Sequence, residues 1–380
     1  MAYIGSKPAN KPLTSSDITD GIISTAKIAD ANVTNPKLTS GSQQNFRNII
    51  INGDMSIAQR GTSESGITTS GYYTVDRFNM PINTMGTFTV SQSTDTPSGQ
   101  GFSTSSKYDC TTADASPASG DFIRFEQYVE AQNLQYLKFG TANAQSLTLS
   151  FWVKSTKTGT YIAELRNFDG GRTICNSYTI NASNTWEKKT ITVSGDTDGS
   201  GSFNNDNGLG LACIFWLGVG SDFNSGTLAT DWEATTSANR AVGQVNLADS
   251  TANEWYITGV QLEAGTSASD FEFLPNDINK NRCYRYFQKL SVVLMNFNTT
   301  GLLGFVFPVE MRANPSVSRQ YSGTANRMYN VATAGTADIS SPTTIVSNKT
   351  IRYWYAFTPS GWATATRSGW ETEYTIDSEL

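Results

Sequence analysis

Large apolar side chains recur at every fifth position near the start of the chain, separated by turn-forming Asp, Asn, Gly and Pro. A step of five residues rotates an α-helix by about 140° and changes the face of a strand, so neither element gathers these side chains into one stripe. The pattern predicts that residues 1–45 form an extended segment intertwined with identical copies, which bury the apolar positions along a shared axis. The alternative is a flexible leader whose periodicity arises by chance. The predicted trimerisation residues are Ile18, Ile23, Ile28, Val33 and Leu38.

Apolar and polar positions alternate with a period of two in many short segments of residues 46–275. Segments 122–130 and 146–155 are the clearest cases, and residues 49–51 predict a further short strand. In the second segment, the faces are predicted to hold Leu147, Leu149, Phe151 and Val153 on one side, and Thr148, Ser150, Trp152 and Lys154 on the other. Short strands joined by Gly, Ser, Asn and Asp turns, without helical periods between them, predict an antiparallel jelly-roll sandwich.

The chain changes character after Pro275. Residues 276–290 predict a helical turn or connector, with Asn276 or Asp277 as its N-cap. A strand pattern follows over 302–318, and Pro308 within it indicates an edge or a bulge. We therefore expect a small C-terminal β domain. The predicted fold is all-β, with an intertwined oligomerisation segment, a central sandwich and a C-terminal domain at 1–45, 46–275 and 276–380.

The composition excludes several classes of function. The 380 residues carry a net charge of -6 and contain no run of Lys or Arg, so nucleic acid is not an expected partner. No run of about 18 apolar residues is present, so we expect no membrane insertion. The first residues lack the apolar core of a secretory signal. The chain has no histidine, which removes the commonest general base, and its four widely spaced cysteines are expected to be free thiols.

Aromatic residues in polar surroundings are candidates for carbohydrate binding. A flat ring packs against the C–H face of a pyranose, while neighbouring polar groups form hydrogen bonds with its hydroxyls. The aromatic residues near the C-terminus are favoured, because they lie farthest along the chain from the presumed attachment end. The candidates in this group are Trp354, Tyr355, Trp362 and Trp370. Two further candidates from the middle of the chain are Trp216 and Trp232.

No catalytic residue, metal site or cofactor is predicted. Residues 196–207 begin like a calcium loop, but Asn207 stands where an EF-hand needs a bidentate Glu. The segment is expected to be a turn between strands, and a calcium site of another geometry is the alternative. Asp76 is expected to form an ion pair with Arg77. The carboxylates that remain available for sugar hydrolysis are Asp76, Glu126, Glu164, Asp169, Asp231 and Glu233.

Several segments, taken in order, resemble a known family. The N-terminal repeats resemble those that open many bacteriophage tail-fibre proteins, and NIIINGDMSIAQRG followed by GYYTVDRF resembles the start of the receptor-region domain in such proteins. SLTLSFWVKS, NEWYITGVQLEAG, and NRCYRYFQKL followed by FPVEMRANPSV resemble the rest of it. The resemblance covers roughly residues 15–320, and the middle part is also similar to jelly-roll carbohydrate-binding modules. It implies a non-enzymatic, usually trimeric virion protein that contacts a bacterial surface.

We therefore expect a homotrimeric tail-fibre protein of a virion, assembled in the host cytoplasm. Its N-terminus would contact other tail or head proteins, and its C-terminal domain would bind a bacterial surface polysaccharide. Two alternatives stay open. One is a head fibre, decoration or tail adaptor protein without glycan binding, and the other is a virion-associated glycan depolymerase.

Overall fold

The computed structural model describes residues 46–296, 300–321, 324–325, 327–330, 336–338, 341–346, 350–356 and 368–380. Phe46–Leu380 forms one compact unit. The predicted boundary after residue 275 lies within this unit and stays a prediction. The predicted trimerisation residues lie outside the described part of the chain: Ile18, Ile23, Ile28, Val33 and Leu38.

Strands are the main regular structure of the described residues. Up to residue 275 the strands are β1 (Ser63–Ile67), β2 (Phe78–Asn79), β3 (Ile82–Asn83), β4 (Thr87–Ser93), β5 (Ser105–Thr112), β6 (Phe122–Glu130), β7 (Leu147–Ser155), β8 (Gly159–Asn167), β9 (Arg172–Ile180), β10 (Glu187–Val193), β11 (Leu209–Val219), β12 (Glu233–Ala234) and β13 (Glu254–Ala264). Beyond it they are β14 (Phe287–Asn296), β15 (Thr300–Val306), β16 (Ser316–Tyr321), β17 (Thr324–Ala325), β18 (Arg327–Asn330), β19 (Thr336–Asp338), β20 (Ser341–Val346), β21 (Thr350–Ala356) and β22 (Ser368–Asp377). Helix α1 spans Asn276–Tyr284, and short 3-10 helices lie at Ala131–Asn133, Gln135–Leu137, Gly199–Gly201, Ser237–Asn239 and Leu247–Asp249.

Two antiparallel sheets form the jelly roll that the sequence predicts. The six-stranded sheet has the order β1-β4-β5-β13-β7-β10. The seven-stranded sheet has the order β12-β9-β8-β11-β6-β2, and β3 also pairs with β6. Because neighbours in each sheet are distant in sequence, the fold closes through long connections rather than hairpins alone. The prediction of an antiparallel jelly roll is confirmed.

The predicted alternation of segment 146–155 is confirmed in β7. Its apolar positions are almost fully buried in the core between the two sheets: Leu147, Leu149, Phe151 and Val153. The Phe151 ring meets the Phe215 ring of the opposite sheet edge to face, with centroids 4.9 Å apart. Aromatic pairs of this kind stabilise a core by about 0.5–1.5 kcal/mol beyond the area they bury.

The predicted strand at residues 49–51 is wrong. The side-chain carbonyl of Asn48 accepts hydrogen bonds from the backbone N–H groups of Ile50 and Leu262, at 3.0 and 3.1 Å. Asn52 has a φ of 61°, which ends any extended run. At Gly53 a Cβ atom would lie 2.0 Å from the carbonyl oxygen of Val260, so only glycine fits this close approach. The Asn48 side-chain amide therefore accepts hydrogen bonds that the backbone of a neighbouring strand would otherwise accept.

The predicted helical connector is confirmed as α1. Its N-cap is Pro275, without a side-chain capping bond, rather than Asn276 or Asp277. Beyond it, a six-stranded sheet has the order β17-β16-β22-β18-β19, with β14 paired to β22. A three-stranded sheet has the order β15-β21-β20. The interruption predicted at Pro308 is observed, because β15 ends at Val306.

Instead of the expected ion pair with each other, Asp76 and Arg77 each interact with other residues. Asp76 accepts a hydrogen bond from the backbone N–H of Gln59 at 2.9 Å. Arg77 is fully buried, forms an ion pair with Glu379, and lies against the Tyr286 ring with 3.3 Å between its guanidinium carbon and the ring centroid. Both residues lie in the turn before β2, where Arg77 has a φ of 74°, and Arg77 ties the C-terminal residues to the sandwich through Glu379.

Glu130, at the end of β6, holds the connector after α1. The Arg285 guanidinium donates two hydrogen bonds to its carboxylate, both of 2.7 Å, and the Tyr286 hydroxyl donates a third of 2.6 Å. Glu130 is fully buried. Although burial alone would raise its pKa, hydrogen bonds from Arg285 and Tyr286 hold the pKa of Glu130 below its usual value of 4.5.

Residues 196–207 form the turn that the sequence predicts, and Arg172 forms ion pairs with two of its acidic residues. Arg172 Nε lies 2.6 Å from Asp196 Oδ2, and Arg172 Nη1 lies 3.4 Å from Asp198 Oδ2. The carboxylates with calcium-loop spacing are thus neutralised by a guanidinium of the same chain. Among the described residues, no group of three or more Cys, Asp or Glu side chains is arranged to hold a metal ion.

The stabilising role of the hydrogen bonds that Glu130 accepts from Arg285 and Tyr286 can be tested with the isosteric Glu130→Gln variant. We expect a loss of about 3 kcal/mol in unfolding free energy at pH 7, because Arg285 is left without its carboxylate. A carboxylate whose pKa is lower in the folded than in the unfolded protein stabilises the fold at pH values above its unfolded pKa. This stabilisation is lost as the pH falls through the folded pKa. The difference between the two proteins, measured by urea unfolding, should therefore shrink below pH 4.5.

The control for this experiment is Glu254→Gln. Glu254 forms a surface ion pair with Lys107, at 2.7 Å, and both side chains are partly exposed. Its replacement should cost less than about 1 kcal/mol. Equal losses for the two variants, or a Glu130→Gln loss that is the same at acid and neutral pH, would contradict the assigned role.

The turn at 196–207 predicts independence from divalent cations. We expect millimolar calcium, or EDTA, to leave the melting temperature unchanged, because Arg172 already neutralises Asp196 and Asp198. In differential scanning calorimetry, Arg172→Ala should lower the melting temperature, since it leaves a buried carboxylate unpaired. A calcium-dependent rise that EDTA reverses would show that a cation site exists after all.

Candidate functional site

The outer face of the seven-stranded sheet gathers charged and aromatic side chains in rows. Ala212 of β11 pairs with Tyr128 of β6 on one side and with Arg166 of β8 on the other. In the next row, Ile214 lies between Glu126 and Glu164. The period of two in all three strands sends these side chains outward, while residues such as Phe125 and Phe215 point into the core.

One half of this face is covered by the segment 220–246. Its buried side chains, Ala229 and Ala241, belong to one apolar cluster with six buried residues of the sheet: Ile162, Cys175, Ala212, Ile214, Trp216 and Val219. Backbone hydrogen bonds fix the cover, since Cys175 N–H donates to Ala229 O at 2.6 Å. The covered half therefore offers no surface to a ligand.

A buried ion pair holds the cover to the sheet. Arg240, from the covering segment, donates from Nε and Nη2 to the two carboxylate oxygens of Glu164, at 2.8 and 3.0 Å. The same carboxylate accepts hydrogen bonds from Trp216 Nε1, at 2.9 Å, and from the Thr173 hydroxyl, at 2.7 Å. Glu164 is fully buried. Its hydrogen-bonding capacity is taken up by these donors.

The other half of the face is open. Four of its side chains are only partly buried: Arg124, Tyr128, Arg166 and Phe168. The Tyr128 and Phe168 rings are 6.3 Å apart between centroids and nearly perpendicular. The Arg166 guanidinium carbon lies 4.4 Å from the Phe168 ring centroid. Ala212, which pairs with both Tyr128 and Arg166, is fully buried, so the accessible surface here belongs to the larger side chains around it.

Several polar groups of the open half lack a hydrogen-bond partner. The shielded atoms without one are Asn79 Oδ1, Arg124 Nε, Glu126 Oε2 and Arg166 Nε. Burial raises the pKa of Glu126, which accepts a hydrogen bond from the Tyr128 hydroxyl and lies 3.5 Å from Arg124 Nη1. Buried polar groups are usually hydrogen-bonded. Donors and acceptors without partners, beside two aromatic rings, are therefore suited to a polar ligand with C–H faces.

Other clefts on the described surface are less suited to this role. A cleft of about 520 Å³ between Thr68–Ser70 and Ile82–Thr87 has no charged residue in its lining. A cleft of about 450 Å³ beside β6 includes Arg282 and Arg285, but both guanidinium groups already donate within the protein, to Asn48 O and to the Glu130 carboxylate.

The aromatic residues proposed from the sequence are distributed differently from expectation. Trp216 is fully buried under segment 220–246 and has no face for a sugar, so this part of the prediction is wrong. Trp232 is half-buried, packs against Phe139 with ring centroids 5.5 Å apart, and donates from Nε1 to Ser194 O at 2.8 Å. It lies at the edge of the main core rather than in the open half.

The C-terminal candidates are placed only by their backbone. Trp354 and Tyr355 lie in β21, opposite Leu302 and Gly301 of β15. Trp370 lies in β22, opposite Leu294. Trp362 lies outside the described residues. Their proposed role in glycan binding stays a prediction.

Sequence reasoning overlooked the residues of the open half. The alternation of segment 122–130 places Arg124, Glu126 and Tyr128 on one face, and the same period places Arg166 outward on β8. These positions combine charge and aromatic character, but the sequence-based choice of glycan-binding residues favours tryptophan. Two of the carboxylates proposed for hydrolysis already have partners within the protein. Glu164 binds Arg240, and Asp169 accepts a hydrogen bond from the Asn204 side chain at 2.7 Å.

Helix α1 has nine residues, and no helix in the described ranges is both long and apolar enough to cross a bilayer. The four cysteines, which the sequence predicts to be free, are unpaired and buried: Cys110, Cys175, Cys213 and Cys283.

Comparisons with known proteins concern the fold alone. No family model matches the chain, and the search of curated proteins found no match. Among solved structures, the chain is similar to the enzymatically active domain of tailspike protein 4 of bacteriophage CBA120, with 16% sequence identity and a TM-score of 0.30. This match covers 58% of the chain and 22% of the length of the tailspike structure.

Carbohydrate-binding modules are also similar in fold. The module TmCBM61, solved in complex with β-1,4-galactotriose, matches 58% of this chain over 99% of its own, with 11% identity and a TM-score of 0.28. The family 11 module of a cellulosomal cellulase of Clostridium thermocellum matches 58% of this chain over 96% of its own, with 12% identity and a TM-score of 0.25.

Proposed function

We propose that this chain is a fibre subunit of a bacteriophage virion whose jelly roll binds a bacterial surface polysaccharide. The binding site is the open half of the outer face of the seven-stranded sheet. The observation that carries this proposal is the pair of partly exposed rings, Tyr128 and Phe168, beside unpartnered polar groups of Arg124, Glu126 and Arg166. A pyranose packs its C–H face on such rings, while its hydroxyls satisfy the polar groups.

The expected affinity of one site is weak. The open half is shallow, because Ala212 between its larger side chains is fully buried, and a sugar on it buries little area. A dissociation constant of about 1 mM corresponds to roughly -4 kcal/mol, which one ring contact and a few hydrogen bonds can supply. Several sites on one fibre raise the apparent affinity through effective concentration, so an oligomer makes weak sites useful.

The virion role is supported by the sequence. The ordered resemblance to tail-fibre receptor-region segments and the five-residue period of residues 1–45 both favour a homotrimer that attaches to tail or head proteins through its N-terminus. The subunit would be assembled in the host cytoplasm and reside in the virion. Binding without hydrolysis is proposed, because the Glu164 carboxylate is occupied by Arg240, Trp216 and Thr173.

The binding site can be tested with Tyr128→Ala and Phe168→Ala. Wild-type protein is applied to immobilised capsular and lipopolysaccharide O-chain preparations, and bound polysaccharides are titrated by biolayer interferometry. We expect each variant to weaken binding about fivefold, because stacking on one ring contributes on the order of 1 kcal/mol. Circular dichroism melting of each variant confirms that the fold is retained.

The matched control is Trp152→Ala. Trp152 is a partly buried aromatic residue on the outer face of the other sheet, in β7 opposite Lys188. Its replacement should leave affinity unchanged. If Trp152→Ala abolishes binding while the Tyr128 and Phe168 variants bind normally, the site lies on the opposite face and the present assignment is wrong.

The oligomeric state has a separate test. Full-length protein is expected to sediment at micromolar concentration as three chains of 41.2 kDa. Replacing Ile23 and Ile28 together by Asp should shift the assembly to single chains, because charged side chains cannot be buried along the shared axis. Sedimentation equilibrium of wild type as a single chain would contradict the trimer.

A further inference from the structure

The open half carries one positive charge that the protein does not neutralise. The face as a whole holds three arginines and two glutamates. Glu164 is paired with Arg240 through two hydrogen bonds, and Glu126 lies 3.5 Å from Arg124. Arg166 is left over. An excess positive charge at one site stands out in a chain whose net charge is -6.

Arg166 differs from the other arginines whose side chains the structure describes. Each of those forms a hydrogen bond or an ion pair: Arg47, Arg60, Arg77, Arg124, Arg172, Arg240, Arg282, Arg285 and Arg312. Within the described residues, Arg166 has neither, and its only ring contact is with Phe168. Its neighbours in the row, Ala212 and Thr173, offer no carboxylate.

The surroundings of Arg166 make this isolation costly. The side chain is partly buried, and its Nε atom is shielded without an acceptor. Burial and the nearby charge of Arg240 lower the pKa of Arg166, although the carboxylates of Glu164 and Glu126 act in the opposite direction. A hydrated surface arginine would keep its Nε accessible to water. The Arg166 guanidinium instead lies against the Phe168 ring, with 4.4 Å between the guanidinium carbon and the ring centroid, where an anionic partner can reach it.

We infer that the polysaccharide bound on the open half is acidic and that Arg166 binds its anionic oxygens. A guanidinium pairs in a bidentate manner with carboxylate or phosphate, so either group on a sugar fits this chemistry. The sugar ring rests against Tyr128 and Phe168, and the acid group reaches Arg166 beside Ala212. The inference rests on the proposed function and names the class of glycan that the site takes.

The experiment compares each bound polysaccharide with its neutral form. Polysaccharides that bind the full-length protein are retested after carbodiimide and borohydride reduction of their carboxylates, or after removal of phosphate with hydrofluoric acid. We expect binding to weaken about ten- to a hundredfold after one of these treatments, as loss of a charge-assisted hydrogen-bond pair implies. Which treatment acts distinguishes carboxylate from phosphate.

The role of Arg166 is tested with Arg166→Gln and Arg166→Lys. Arg166→Gln should bind the native and the neutralised polysaccharide equally weakly, and its binding should lose the salt dependence seen in wild type. Arg166→Lys should recover part of the preference, because it restores the charge without the planar fork. The melting temperature of Arg166→Gln should change little, since no internal hydrogen bond or ion pair is lost and only the contact with the Phe168 ring is removed.

The control is Lys188→Gln, which changes the net charge equally. Lys188 is exposed on β10, on the outer face of the other sheet, opposite Trp152. This variant should keep the preference for acidic polysaccharide. Binding to a neutral polysaccharide through Tyr128 and Phe168, or undiminished binding after neutralisation, would overturn the inference and leave the proposed function intact. Failure to bind any polysaccharide would overturn both.

Discussion

The ion pair between Glu164 and Arg240 decides what the outer face of the seven-stranded sheet can do. Both carboxylate oxygens of Glu164 are bound by Arg240 in a fully buried setting. Loss of one partner would leave a buried charge, a change that costs about 3–5 kcal/mol. The covering segment therefore stays on one half of the face, and the other half stays open.

Strand β11 couples this face to the core. Its inward residues, such as Phe215, pack between the sheets, while Ala212, Ile214 and Trp216 alternate with them and form the floor of the face. The ring centroids of Phe215 and Phe151 are 4.9 Å apart, so a shift of β11 would disturb both layers at once. A close-packed interior resists such shifts. The open half is consequently built on a strand that is fixed by the core, and Tyr128 and Arg166 flank this strand.

Alternation within one strand could be predicted from the sequence, and interactions between distant segments could not. Period two was sufficient for β6 and β7, because each buries one face along its whole length. Trp216 also follows that period and faces outward, but the segment that buries it follows later in the chain and has no regular pattern. Residues 49–51 look like a strand until the Asn48 side chain, which bonds to Leu262, is taken into account. Sequence patterns report local periods, whereas exposure depends on what packs from elsewhere.

Both halves of the face place an arginine guanidinium beside an aromatic ring. In the covered half, Arg240 lies 5.0 Å from the Trp216 ring, and Glu164 supplies the acid that both groups bond. In the open half, Arg166 lies against the Phe168 ring in the same manner, but the protein places no acid beside it. The covered half shows that a guanidinium on an aromatic ring is fully satisfied here once a carboxylate joins it. An acid brought by a ligand would complete the open half in the same way, with binding energy drawn from a charge that folding has left unpaired.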